Sequence, residues 1–170
     1  MFRKLAVLVF AVFISACSST VHMQNESGNY VYKNEKYGNI NVILADEISS
    51  DPSKTTRANQ VNLEDKIKAR LQSLGVYDET STNKIDVVVS KLRVRNAFNA
   101  IMFGFMSGSD NLGGTVTLKD GQDNQISTFD ISASYAMGGI AGGQNDARLG
   151  WLGDEFAELT ANTIVGKNIN

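Results

Sequence analysis

Residue types that carry nucleophilic or metal chemistry are scarce in this chain. Its 170 residues include one histidine, His22, and one cysteine, Cys17. A serine nucleophile needs a positioned base, and His22 sits alone in a polar N-terminal stretch. A Ser–Lys arrangement stays open on composition, but no short motif marks one. Zinc calls for Cys or His ligands, so no metal site is expected. The acids Asp46-Glu47, Glu64-Asp65 and Asp154-Glu155 fall on loops or solvated helix faces, where they read as surface charges rather than an acid–base pair. The glycine run Gly138–Asn145 (GGIAGGQN) precedes the last helix, and a helix N-terminus can hold phosphate. This run lacks the Lys and Ser/Thr of a P-loop, does not fit GxGxxG, and has Asp146 beside it. It reads as a strand-to-helix turn built on glycine backbone angles. No enzymatic activity and no cofactor are expected.

Cys17 has a different chemistry open to it. Arg3 and Lys4 precede an unbroken apolar run, Leu5 to Ile14, which is followed by Ser15, Ala16 and Cys17. A basic start, a short apolar core and small residues at a cut site make a secretory signal peptide. The run is too short to cross a bilayer as a helix, which needs ~20 apolar residues. ISAC resembles the lipobox of bacterial lipoproteins, which implies a diacylglyceryl group on Cys17, cleavage before it, and N-acylation. Two or more acyl chains give stable membrane attachment. The resemblance also implies that Ser18, where an aspartate commonly causes inner-membrane retention, permits sorting to the outer membrane of a Gram-negative host. The expected partner is therefore the membrane, through Cys17, with the domain facing the periplasm.

Cleavage leaves 14 basic against 18 acidic residues, a net charge of −4. Nucleic acid would demand a Lys/Arg patch, and none is present. The mature chain is long enough for one domain. We divide it into a signal peptide (1–16), a lipidated tether (17–38) and a single domain (39–170). Residues 18–38 are polar and read as a flexible spacer holding the domain off the membrane. Tyr30, Tyr32 and Tyr37 alternate loosely, so an edge strand there is the other possibility.

The domain's pattern predicts strand, helix, strand, strand, strand, helix. Ile40, Val42 and Leu44 alternate as in a half-buried strand. Residues 49–58, with the sole proline Pro52, read as a surface loop. Leu63, Ile67, Leu71 and Leu74 form one helical face, with Asn62 at its start and Gly75 at its end. Lys84–Arg95 reads as a strand with Val88, Leu92 and Val94 inward and Lys91, Arg93 and Arg95 outward. Leu112, Val116 and Leu118 point inward from the next. After a turn at Asp120-Gly121, Phe129, Ile131, Ala133 and Tyr135 share a face. The last helix, about Asp146 to Val165, buries Leu149, Leu152, Phe156, Leu159 and Thr163. The expected fold is α+β: a two-layer β-α-β-β-β-α arrangement with a four-stranded mixed sheet and both helices on one face. The other face would carry Thr115, Thr117, Thr128, Ser132 and Ser134, a solvated surface.

Two features stand out as contact candidates. Ala97–Met106 (AFNAIMFGFM) is apolar and lies where a strand ends, at the same end of the sheet as the glycine run. It either extends the core under the last helix or offers Phe103 and Phe105 to a partner. Trp151, the only tryptophan, falls among Asp154, Glu155 and Glu158 on the helix. It is either a partner contact or is covered by the tether or glycine run. Gly150, Gly153, Ala157 and Ala161 make a separate small-residue strip that permits close helix packing.

From Asp86 to Ile164 the chain resembles a family of bacterial lipoproteins, domain-of-unknown-function 4410. The shared order is DVVVSKLRVR, an apolar segment ending in FGFMSGSD, LGGTVTLKDGQD, a further strand, GGIAGG and a final helix. The resemblance implies an envelope lipoprotein with a small α/β domain and carries over no activity. The longer polar N-terminal segment departs from the pattern. The resulting reading is a non-enzymatic outer-membrane lipoprotein that acts as a periplasmic interaction or envelope-assembly domain with a protein partner. The alternative is a carrier or sensor of an apolar ligand or lipid, held between the Ala97–Met106 segment and the last helix.

Overall fold

The computed structural model describes residues 19–24, 30–103, 108–136 and 144–167. Its sheet has five strands: β1 (Thr20–Met23), β2 (Asn39–Leu44), β3 (Lys84–Arg93), β4 (Asp110–Lys119) and β5 (Gln125–Tyr135). Their order across the sheet is β1-β5-β4-β3-β2. β2 runs parallel to β3, and every other pairing is antiparallel. The mixed α+β sheet is as expected, but a fifth strand replaces the four-stranded version. The added strand lies in the segment expected to be a spacer. Thr20 pairs with Ser132 and Met23 with Phe129, so β1 takes its conformation from the free edge of β5. The tyrosines form no strand of their own. Tyr37 is fully buried and bridges to Tyr77, with Tyr30 and Tyr32 packed against the core. Burial raises the Tyr37 phenol above its ordinary pKa.

The helical segments are α1 (Asp46–Ser49), α2 (Pro52–Val61), α3 (Leu63–Ser73), α4 (Ala97–Phe103) and α5 (Asn145–Ile164). α2 overturns the expected loop at 49–58. Its start is set by Asp51, whose carboxylate accepts from the N–H groups of Ser53 (2.9 Å) and Lys54 (3.3 Å), and by Pro52 in the first turn. Proline there costs no hydrogen bond, since that N–H is unpaired in any helix. The Ser53 side chain, with these backbone bonds, holds the Asp51 carboxyl below its usual pKa. α3 buries Leu63, Ile67 and Leu71 as the spacing requires. It closes on Gly75 at φ 68°, with Gly75 N–H bonding to Gln72 and Val76 N–H to Leu71. That left-handed turn suits glycine, and it places Val76 in the core.

α3 and α5 pack together on one face of the sheet, and salt bridges Lys66–Asp154 (2.5 Å) and Arg70–Glu158 (2.7 Å) link them. Between them and the sheet lie Ile67, Leu71, Val87, Val116, Leu118, Phe129, Ile131, Leu152 and Phe156, all buried. Gly153 lies at a close approach of α5 to α2 and α3. A Cβ there would lie 2.5 Å from a Val61 methyl and 2.8 Å from Lys66 Cδ. Gly150 faces open space and plays no part in this contact. Thr163 is only half-buried, and Thr160 occupies the interior instead, its hydroxyl donating to the Phe156 carbonyl.

The opposite sheet face is polar, as the Ser/Thr pattern requires. Thr115 Oγ1 donates to Asp130 at 2.7 Å, and Thr128 and Thr117 bond across strands at 3.3 Å. β3 departs from simple alternation. Ile85, Val87 and Val89 are buried while Val88 is exposed, contrary to the expected inward Val88. Pairing to β4 skips Ser90, since Val89 opposes Gly114 and Lys91 opposes Gly113. This β-bulge shifts the phase by one residue, so Leu92 turns inward after it.

Candidate functional site

Several elements converge at one end of the sheet: the end of β3, α4, the start of β4, the end of β5 and the start of α5. α4 begins where the Asn96 side chain accepts from Phe98 N–H at 2.8 Å, an N-cap interaction. Phe98, Ile101 and Met102 fall at i, i+3 and i+4, a common helical face, with Phe103 next to them. All four are exposed: Phe98 63%, Ile101 46%, Met102 62% and Phe103 56%. Hence the described part of Ala97–Met106 is surface, not an extension of the core. Phe105 lies outside the described residues, as do Cys17 and the glycines Gly138–Gly143. Trp151 is 39% exposed, and its ring rests 4.8 Å from that of Tyr135 at 50°. It is neither bare nor buried: Tyr135 supports one side and the other faces solvent.

Beneath this apolar end sits a buried ionic cluster. Arg95, expected outward, is almost wholly buried, and so are Asp110 and Arg148. Asp110 accepts from Arg95 Nε (3.2 Å) and Nη2 (3.2 Å), from the Arg95 backbone N–H (2.7 Å), and from Arg148 Nη1 at 2.8 and 3.1 Å. Carbonyls and the Asn145 side chain take most of the remaining guanidinium protons, while the buried Arg148 Nε has no hydrogen-bond partner. Arg95 donates to Gly108 (2.6 Å) and Tyr135 (3.3 Å), and Arg148 Nη2 to Arg95 (3.1 Å) and the Asn145 side chain. The desolvation cost of a buried ion pair is offset by good geometry and by further hydrogen bonds to its protons and lone pairs. This one ties the root of α4, the first residue of β4, the last residue of β5 and the first turn of α5 to a single carboxylate. Its direct effect is to fix the position of α4.

His22 lies on β1 opposite Asp130, on the polar face. Among the described residues no group of three or more His, Cys, Asp or Glu could hold a metal ion. A half-open cleft of about 210 Å³ lies between β2, β3 and α2, lined in part by Val42, Leu44, Ala58 and Val61. At that volume it is smaller than the ~300–1,000 Å³ of typical ligand sites. No described helix is long and apolar enough to cross a membrane.

The exposure of α4 has a direct thermodynamic consequence. Phe98→Ala and Phe103→Ala are expected to change unfolding free energy by less than ~0.5 kcal/mol, against ~3–5 kcal/mol for the buried Phe129→Ala. Urea unfolding of the chain starting at Ser18 measures this. A loss above ~2 kcal/mol at Phe103 would place α4 in the core after all.

A family model described as a domain of unknown function, DUF4410, matches residues 18–139. The match starts well upstream of the resemblance over Asp86–Ile164 and takes in β1, but it ends before α5. Among solved structures, the chain is similar to the PelC dodecamer from Paraburkholderia phytofirmans, at TM-score 0.55 and 10% identity over 87% of this chain and 97% of that one. A variant of the same protein gives TM-score 0.53 at 11% identity with the same coverage. These likenesses concern the fold. A minor lipoprotein from Acinetobacter baumannii is 20% identical over 76% of this chain and 94% of that one, at a TM-score of 0.38, too low to bear on the fold. No curated protein matches the chain.

Proposed function

Because the chain belongs to the DUF4410 family, whose model assigns no activity, we propose a function from its own residues: a non-enzymatic, lipid-anchored protein of the outer membrane that serves as an interaction or assembly domain facing the periplasm. The signature ending at Cys17 carries this reading, since a basic start, a ten-residue apolar run and ISAC specify export and lipidation together. Support for an interaction role comes from the apolar end of the sheet. Four exposed apolar side chains on one short helix, beside a half-exposed tryptophan, are more than scattered surface residues. The similar PelC fold occurs as a dodecamer, so the same architecture is compatible with assembly into larger bodies. The carrier reading draws little support from two half-open clefts, one of about 210 Å³ between β2, β3 and α2 and one of about 310 Å³ between α3 and α5 that is lined by the charged Lys66, Arg70, Asp154 and Glu158; α4 lines neither.

Cys17→Ser tests the anchor. The variant is expected to lose labelled palmitate entirely and to accumulate as uncleaved precursor or as a soluble periplasmic species. Fractionation of labelled cells reads both. A cleaved Cys17→Ser protein that still sediments with membranes would overturn the reading.

A further inference from the structure

We infer that the apolar end of the sheet, α4 with Trp151, rests in the headgroup region of the bilayer that carries the anchor. The inference rests on lipidation of Cys17 and goes beyond it by naming what the exposed surface meets. The observation behind it is the register of β1. Ser19 Oγ accepts from the Ser134 N–H at 3.3 Å, and Thr20 pairs with Ser132, so the chain is held in the sheet from Ser19 onward. Cys17 precedes Ser19 by two residues. Two residues of fully extended chain reach at most about 7 Å. The expected spacer of some twenty residues therefore does not separate lipid from domain.

The direction of β1 then fixes which end faces the membrane. β1 enters beside the end of β5, and Tyr135 there pairs with Asp110 at the start of β4. Arg93 at the end of β3 pairs with Asn111, and α4 leaves from that point. Three strand spacings, about 14 Å, separate β1 from β3. The opposite end, with the Asp120–Asn124 turn, lies one strand length away, about 35 Å along β5. A lipid on Cys17 thus holds the α4 end against the bilayer surface and the turn end away from it. The charges near this end are of both signs: Lys91 and Arg93 after the bulge, Asp146 at the start of α5, and Asp46 and Glu47 after β2. The contact consequently depends on apolar side chains rather than on headgroup charge. Phe98, Ile101, Met102, Phe103 and Trp151 suit an interface in which aromatic rings and aliphatic chains enter the boundary between headgroups and acyl chains.

Trp151 is the only tryptophan, so its fluorescence reports on this surface without labelling. The experiment uses the lipidated, processed protein in vesicles of phosphatidylethanolamine and phosphatidylglycerol, with or without bromine near the top of the acyl chains. Roughly half of the Trp151 emission is expected to be lost to the brominated lipid, as suits a ring ~5–10 Å inside the headgroup boundary. Replacing Phe98, Ile101, Met102 and Phe103 together by serine is expected to reduce that quenching severalfold while the protein still sediments with the vesicles. Vesicle-bound wild-type protein whose Trp151 is unquenched by bromine and open to aqueous iodide would overturn the inference, leaving the surface to a protein partner. That outcome is distinct from failure of the anchor, in which the protein carries no palmitate and does not sediment at all.

Discussion

Asp110→Ala is expected to destabilise the domain by about 3–5 kcal/mol, the cost of leaving a buried charge without its partner. The reason lies in how many groups share this carboxylate. It accepts from both guanidinium groups and from the Arg95 backbone N–H, and none of the three can turn to water. Asp110→Asn is expected to cost less, since an amide oxygen still accepts one of these bonds. Urea unfolding of both variants, with wild type, gives the order. A loss below ~1 kcal/mol for Asp110→Ala would mean that water or another acid replaces the carboxylate. Hydrogen exchange adds a spatial reading. Arg95 holds the Gly108 carbonyl at 2.6 Å, which closes the chain's excursion from β3 through α4 and back to β4. Without Asp110 this closure loosens, so amides of Val94–Phe103 are expected to exchange faster than those of Phe129–Ala133.

Specificity of position explains the cluster better than stability does. Replacing a whole buried ion cluster by apolar residues of similar volume is often neutral or favourable, so such a cluster is weak evidence for stabilisation. Apolar packing, however, would leave the approach of α4 to α5 undirected. The bonds from two guanidinium groups to one carboxylate specify distance and angle together. That constraint operates where the chain leaves β3 and returns to β4, and where four exposed apolar side chains stand on α4. The cluster and the apolar surface are accordingly parts of one construction: the buried part orients the part that makes contact.

The sequence made much of this fold legible, and the parts it concealed have physical causes. β4, β5, α3 and the core side of α5 follow periods of 2 and 3.6 that one buried face imposes. β1 is harder to see, because TVHM offers only four residues of alternation in an otherwise polar segment and its pairing is dictated by β5. α2 has no apolar stripe beyond Val61, yet Asp51-Pro52 was a usable start signal. Of the candidate contacts, Trp151 stands out by a helical phase that puts it among Asp154, Glu155 and Glu158, and Phe103 by the apolar run Ala97–Met106. The ionic cluster was not identified, since its members are 15 and 38 residues apart. One trace of it was present. Arg148, Leu152, Phe156 and Leu159 repeat the i, i+4, i+8, i+11 spacing of Leu63, Ile67, Leu71 and Leu74, with a charge in the first slot. A charged residue occupying an apolar phase calls for a buried counter-charge, and Asp110, the first residue of β4, is the one that meets it.

The bulge in β3 leads to the second large effect. Gly114→Val is expected to cost about 1–3 kcal/mol or more, since a Cβ at Gly114 would lie 2.6 Å from the Val88 carbonyl oxygen and 3.2 Å from Val89 Cα. Both neighbours are backbone in the middle of the sheet, so relief requires the bulge at Ser90 to unwind. Unwinding reverses the phase of everything beyond it. Leu92 would turn to solvent, and Arg95 would be drawn away from Asp110. The damage at Gly114 should therefore overlap with damage at Asp110. In a double-mutant cycle, Gly114→Val with Asp110→Asn is expected to lose less than the two single losses combined, by at least ~0.5 kcal/mol. Strict additivity would show that the bulge and the cluster are independent. Gly150→Ala supplies the contrast. Its Cβ meets nothing within 4 Å, and alanine in a helix interior is favoured over glycine by ~0.8–1 kcal/mol, so this variant should be more stable than wild type. Only one of the two glycines is required by the approach of another backbone, and opposite signs in the same unfolding experiment would separate them.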